Sequence, residues 1–236
     1  MTVWRDDPVP QAWHGLWRRL TLEEPDGSVD LETTVLWMQA SRFYCDIRVP
    51  PIRPDFSAVK SFADLNEIHI RFLASQEAFA GTLRWRGEDN GKGEGHWARS
   101  VDFSPPAGPD DEGRLIPDRR MMVEYGIHRD YIEYWWQEAP AASPLGGGLR
   151  ADGTIIVQAA NQFMMATDRR SSTPASGTLE DRALDAIGDE ERLRDLLDCE
   201  ISFGEITDNR WTVSLSTLPW REGRVVEAPA FDFIEQ

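Results

Sequence analysis

The chain is short of cysteine, histidine and basic residues, and each shortage removes a class of function. Two cysteines occur among 236 residues, Cys45 and Cys199, in different halves and inside apolar, strand-like runs. Two such positions cannot build a disulfide framework or a Cys-x-x-Cys motif. They predict buried free thiols in a reducing compartment, with a single bridge between them as the alternative. The four histidines, His14, His69, His96 and His128, have no metal-ligand spacing such as His-x-x-x-His on a helix. Lys and Arg number 25 against 41 Asp and Glu, a net charge of −16, and no basic run offsets it locally. A surface of that sign repels phosphate backbones and anionic bilayers, so neither nucleic acid nor membrane is an expected partner. No apolar run is long enough to span a bilayer, and the first residues, MTVWRDDPVPQAW, lack a basic stretch followed by an apolar one. A cytoplasmic protein is expected. Gly-x-Ser-x-Gly and the phosphate-binding Gly-x-x-x-x-Gly-Lys-Ser/Thr are both absent, and no cofactor or metal is expected. Gly91-Lys92-Gly93-Glu94-Gly95 is glycine-rich, but no strand-to-helix context surrounds it, and it reads as a hairpin tip.

What is present points to β structure. Hydrophobic residues make up 41% and charged residues 28%, as in a folded globular chain, and ten tryptophans favour strands and pocket walls over long helices. Residues 16–22 alternate imperfectly, with Leu16, Leu20 and Leu22 apolar and Arg18-Arg19 interrupting. Residues 33–38 and 43–49 read as a hairpin, introduced by the turn signal Pro25-Asp26-Gly27 and stopped by Pro50, Pro51 and Pro54. Further strands are predicted over 78–86, 96–103, 120–125 and 131–138. Ser61 to Asp64 has the form of a capping box, which predicts a helix over 61–74 with Leu65, Ile68, His69, Phe72 and Leu73 on one face. On that face His69 is a core histidine rather than a ligand.

Similar features recur in order in the second half. Trp37-Met38-Gln39-Ala40 lies over Ile156-Val157-Gln158-Ala159, and Phe43 over Phe163. The predicted helix has counterparts over 178–187, with a capping box from Thr178 to Asp181, and 189–197. Glu77 and Gly81 then match Glu200 and Gly204, Trp97 matches Trp211, Pro105 matches Pro219, and Glu112-Gly113-Arg114 matches Glu222-Gly223-Arg224. The spacing changes only at loop signals, which predicts an internal duplication. The expected architecture is mainly β: two tandem antiparallel barrels, 1–128 and 129–236, each with a helix between its third and fourth strands. In that division residues 131–138 open the second barrel and 139–148 form a long loop inside it. The alternative has 131–138 closing the first barrel and 139–148 as the linker.

Gly15-Leu16-Trp17, a Gly-x-Trp on the first strand, resembles the opening motif of the calycin superfamily, which includes the lipocalins. The resemblance implies that Trp17 plugs one end of a barrel beneath an Arg from a late strand, for which Arg120 and Arg129 are the candidates. A broader resemblance rests on His14-Gly15-Leu16-Trp17, Val35-Leu36-Trp37-x-Gln39, Asp46-Ile47-Arg48-Val49-Pro50, Ala74-Ser75-Gln76-Glu77-x-Phe79-x-Gly81 and Trp97-x-Arg99-x-x-Asp102-Phe103. These look like a group of uncharacterised bacterial proteins with an uncharacterised fungal relative, thought to be double calycin-like barrels. The second half departs from the pattern: it has no Gly-x-Trp, and Asp168-Arg169 stands where Asp-Ile-Arg would be. The resemblance implies a fold and no activity. Barrels of the superfamily can hold haem through one histidine, but nothing around His128 supports that here.

Candidate site residues fall on these strands. Asp46 and Arg48 share a face with Tyr44, opposite Cys45 and Ile47; Trp37 and Gln39 make the same two-faced choice on the adjacent strand. Trp97, Arg99 and Val101 share a face opposite Asp102, and Glu77, Glu124 and Glu133 add carboxylates. With the polar faces inward, Trp37, Gln39, Tyr44, Asp46, Arg48, Glu77, Trp97, Arg99 and Glu124 would line a cavity in the first barrel. Its occupant would be a small, partly apolar ligand. The structural counterpart is an Arg–carboxylate network inside a solid barrel, with the protein acting as a non-catalytic interaction or scaffold module. Exposed tryptophans would then mark the partner surface, and Trp135-Trp136 must point opposite ways. A third reading is an enzyme using Asp46, Glu77 or Glu124 as general acid or base.

Overall fold

The structure, a computed structural model, describes residues 3–6, 8–88, 90–104, 111–140, 144–169 and 177–228. The match of Pro105 to Pro219 therefore involves a residue outside those described.

The first sheet comprises β1 (Gly15–Glu23), β2 (Val29–Asp30), β3 (Thr34–Gln39), β4 (Phe43–Val49), β5 (Glu77–Gly87), β6 (Gly93–Asp102), β7 (Asp111–Asp118), β8 (Met121–Gly126) and β9 (Ile132–Pro140). The order is β2-β1-β3-β4-β5-β6-β7-β8-β9, and β9 also pairs with β1, so β1 and β3 to β9 close an eight-stranded antiparallel barrel. One edge of β1 is shared, its first four residues facing β3 and Leu22 and Glu23 facing β2. The strand expected to open a second barrel is β9, paired along both edges with β8 and β1. In that place Trp135, 2% exposed, reaches an apolar interior, and no bare edge is left.

Alternation along the barrel strands separates two cores. Trp17, Val35, Trp37, Tyr44, Phe79, Leu83, Trp97, Leu115, Met122 and Trp135 converge inside the barrel. Trp13, on a short 3-10 turn (Gln11–Trp13), joins them at one end and donates from Nε1 to the Gly91 carbonyl at 2.7 Å. The opposite faces of the same strands, with Leu36, Met38, Cys45 and Ile47, join a second core built with the other half of the chain.

That half forms β10 (Leu145–Leu149), β11 (Ile155–Ala159), β12 (Gln162–Thr167), β13 (Glu200–Thr207), β14 (Arg210–Ser216) and β15 (Val225–Val226), antiparallel in chain order. Two helices, α2 (Leu179–Leu184) and α3 (Glu190–Leu197), lie between its third and fourth strands, as α1 (Glu67–Ala74) lies between the barrel's. Among the described residues this sheet is open: β10 and β15 have one partner each. Part of the segment expected to be a loop, 145–148, is strand. Its glycines let β10 approach the β3–β4 hairpin, where a Cβ on Gly147 would stand 2.8 Å from that of Phe43. Ile155, Val157, Met164, Ala166 and Ile201 pack on the outer face of the barrel, while Ile156, Phe163, Trp211 and Val213 make a smaller cluster on the far face of the sheet. Gln76 Nε2 to the Thr217 carbonyl (2.9 Å) and Arg53 to Glu222 (2.9 Å) cross between the halves.

Local details recur in the two sheets. Gln39 pairs with Tyr44 and donates from Nε2 to the Ala40 carbonyl at 2.8 Å; Gln158 pairs with Phe163 and donates to the Ala160 carbonyl at 3.0 Å. Gly81 faces Tyr44 and Gly204 faces Phe163, and each lies at a register shift in its next pairing. Glu-Gly-Arg does not recur in place: Gly113 lies within β7, whereas Gly223 occupies a turn at φ +78°.

The predicted helix over 61–74 divides in two. Ser61 caps a 3-10 turn (Phe62–Asp64), Leu65 is extended, and Asn66 caps α1 by accepting from the His69 N–H at 3.1 Å. The later start rotates the face: Ile70, Phe72 and Leu73 are buried and Ile68 is 66% exposed. His69 Nε2 meets the Asp55 carbonyl at 3.1 Å, a structural bond. In the second half Thr178 caps α2 as the sequence predicts, and Asp189 caps α3 by accepting from the Arg192 N–H.

Candidate functional site

One end of the barrel interior is apolar and the other charged. Four tryptophans divide them: Trp37 meets Trp135 at 5.8 Å and Trp97 at 6.0 Å between ring centres, and stacks on Trp17 at 6.2 Å. Beyond them β4 presents Asp46 and Arg48 inward, because Cys45 and Ile47 are taken by the inter-sheet core. Arg48 Nε donates to Asp46 Oδ1 at 2.9 Å, and its guanidinium lies 5.1 Å from the Phe79 ring. Arg99 packs on the same ring at 3.8 Å and bonds Asp102 at 3.0 Å and Asp111 at 3.4 Å.

Facing them, Glu124 on β8 and Glu133 on β9 are direct cross-strand partners, 4% and 2% exposed. Arg19 Nη1 bonds Glu133 at 2.8 Å and Arg19 Nη2 bonds Asp30 at 2.5 Å. Glu124 accepts instead from the Tyr131 hydroxyl at 2.9 Å and from Trp135 Nε1 at 3.2 Å. Burial, then the charges of Glu133 and Asp111, hold the Glu124 carboxyl well above the ordinary carboxylate range. Two glycines make room for this group: a Cβ on Gly113 would stand 2.5 Å from Glu124 Oε1, and one on Gly126 2.4 Å from the Tyr131 ring. Asp46 is also raised by burial, against the pull of Arg48.

Of the predicted residues, Trp37, Asp46, Arg48, Trp97 and Glu124 surround one cavity, together with Phe79, Asp111 and Trp135. The cavity measures about 10 Å³, at the lower limit for a single water. Arg99 and Tyr44 lie close to it, Tyr44 wholly buried with its ring 6.1 Å from Phe79. Gln39 is not part of the site, since it closes the β3–β4 hairpin. Glu77 stands at the mouth, its side chain 66% exposed and 3.7 Å from Arg48. Val101 does not accompany Trp97 and Arg99, because the register shift opposite Gly81 inserts Ser100 and turns Val101 outward. Arg19 was not anticipated as a site residue; it follows Trp17 inward by regular alternation, and the register shift just after it leaves Leu20 42% exposed. Its spacing of two from Trp17 was the available signal.

The remaining candidates lie elsewhere. His96 and His128 flank Glu112 at 3.0 and 3.5 Å, and His14 is tied to the Val9 carbonyl at 3.2 Å. No group of three His, Cys, Asp or Glu side chains is placed to hold a metal among the described residues. Arg120 lies over Trp136 and Arg129 over Tyr131, so neither takes the expected position over Trp17. The indole of Trp17 donates to the Trp13 carbonyl at 2.8 Å. Cys45 and Cys199 are free, buried thiols, and no helix among the described residues is long and apolar enough to cross a membrane.

No protein-family model matches the chain, and no curated protein matches it. Among solved structures, that of the uncharacterized protein YLR301w from Saccharomyces cerevisiae is similar, with a TM-score of 0.54 and 11% identity over 85% of this chain and 84% of that one. At that identity the likeness shows the fold alone.

Proposed function

We propose that the protein is a non-catalytic binding module whose barrel interior is structural core and whose partners are met on the outside. The observation that carries this reading is the cavity volume, about 10 Å³, against roughly 300–1,000 Å³ for small-molecule sites. An interior ligand would have to expel Arg48 or a tryptophan. The carboxylates offer an enzyme little: Asp46 and Glu124 are 3% and 4% exposed and already bonded, out of a substrate's reach.

The outer face of β8 and β9 is the favoured contact surface. Its cross-strand rows are Met121 with Trp136, Val123 with Tyr134 and Tyr125 with Ile132, and Arg120 stacks on Trp136 at 4.6 Å. This face of the barrel is convex and encloses no small molecule, so its occupant is the surface of another protein. Exposed Trp, Tyr and Arg are the residue types that anchor such contacts. The test is cross-linking in the host cell, with the protein purified from that host also weighed by native mass spectrometry. We expect a bare chain mass, and cross-links on β8–β9 that disappear in a Tyr134→Ser/Trp136→Ser variant of unchanged melting temperature. A mass excess lost on denaturation would reveal an interior ligand and overturn the reading.

The matched positions of Gln39 and Gln158, and of Gly81 and Gly204, support a duplicated ancestor in which the second copy opened. Gly15-Leu16-Trp17 supports a calycin-like first barrel. The two unbridged thiols support a cytoplasmic setting.

A further inference from the structure

Outside the barrel, the end of the β5–β6 hairpin and the adjoining part of β7 enclose a cleft of about 410 Å³, within the range of small-molecule sites. Its walls are fixed by backbone. The hairpin tip is held to Trp13 through the Gly91 carbonyl, and the Glu88 N–H bonds the Lys92 carbonyl at 2.9 Å. Gly87 and Gly93 bring the two strands so close that a Cβ on either would stand 2.4 or 2.6 Å from the opposite carbonyl oxygen.

Among the described residues Arg86, Lys92 and Arg114 line it with Glu88 and Glu94, three cations to two carboxylates in a protein of net −16. Arg86 is committed, since its Nε bonds Glu94 at 2.6 Å and its guanidinium covers Trp4 at 4.4 Å. Glu88 accepts from Asn90 at 2.8 Å. Among the described residues the Lys92 ammonium and the Arg114 guanidinium make no hydrogen bond; Arg114 only approaches Glu94, at 3.6 Å. Two cations with unused donors thus face one concavity, beside the apolar Leu115 and Ile116.

We propose that this cleft binds a small anion, its oxygens held by Lys92 and Arg114 through charge-assisted hydrogen bonds and any apolar part resting on Ile116. Phosphate and carboxylate share that chemistry, and the experiment separates them. Amide NMR spectra of the whole protein are titrated with inorganic phosphate, with benzoate, and with sodium chloride at matched ionic strength. We expect phosphate, benzoate or both to cause shifts confined to residues 86–95 and 114–116, saturating below about 10 mM, an affinity within reach of two charged donors. Phosphate alone identifies a phosphate site, and benzoate alone a carboxylate on an apolar wall. Lys92→Ala and Arg114→Ala each weaken binding about tenfold, whereas Trp136→Ser leaves it unchanged. Shifts that follow chloride equally, or saturable binding that survives in the Lys92→Ala/Arg114→Ala double variant, overturn the proposal.

Discussion

Glu124 and Glu133 stand opposite each other across β8 and β9, and two carboxylates so placed in a dry interior do not both keep a charge. Arg19 pairs with Glu133, and burial beside that carboxylate raises the pKa of Glu124. Because the folded-state pKa of Glu124 is raised, the stability it contributes is complete below the ordinary value of 4.5 and is lost as pH rises through the folded value. Glu124→Gln keeps a neutral group of the same shape. Urea unfolding should place it within about 1 kcal/mol of the parent near pH 5. Above that, its advantage grows by at most about 1.4 kcal/mol per pH unit until the parent's Glu124 titrates. Equal pH slopes for the two proteins would contradict a raised pKa at Glu124. Arg48→Ala leaves Asp46, 3% exposed, without its cation, and should cost about 3 kcal/mol in the same measurement. The pairing of Asp46 with Arg48 was legible from a spacing of two. Which face pointed inward was not, because β4 is buried on both: Tyr44 and Asp46 lie in the barrel, and Cys45 and Ile47 lie against the second sheet. Alternation distinguishes faces only where one of them is wet.

At the scale of elements, the strands with β-branched and aromatic residues were readable, and those rich in Gly, Asp and Pro were not. β7 reads DEGRLIPD and β10 reads LGGGL, both with the composition of loops. β7 tolerates Pro117 because its ladder with β6 has already ended at Leu115. β10 is glycine-rich because it lies against the β3–β4 hairpin. The register shift after Arg19 in β1 likewise blurred the alternation around it, and the one in β5–β6 separated Val101 from Arg99, which strict alternation places together. Gly81 and Gly204 sit at corresponding shifts, where a Cβ would meet the Ala98 carbonyl oxygen at 2.0 Å and the Thr212 carbonyl oxygen at 2.3 Å. Gly81→Ala and Gly204→Ala should each lower stability by about 1–3 kcal/mol in denaturant titrations. A neutral effect at either position would show that its strand pair can relax without the shift.

For the whole molecule, the barrel's outer face serves as a floor on which the second sheet and the helices are laid. Cys45 and Cys199 both lie in that shared core, and burial pushes the Cys199 thiol up to about 12 and the Cys45 thiol higher still. If the two halves unfold as one unit, a thiol reagent should label both cysteines at a single rate equal to that of global unfolding. Faster labelling of Cys199 would mean that the second sheet lifts first. That the second half is antiparallel β with helices between its third and fourth strands was readable from the sequence, but the open form of its sheet among the described residues was not, because strand patterns do not reveal whether the last strand meets the first. That difference sets how the protein would fail under stress. A closed barrel offers no unpaired backbone to a neighbour, whereas among the described residues β10 and β15 each keep one free side. Crowding or partial unfolding would therefore recruit other copies through the second half, by strand exchange or edge-to-edge growth, while the barrel stayed inert.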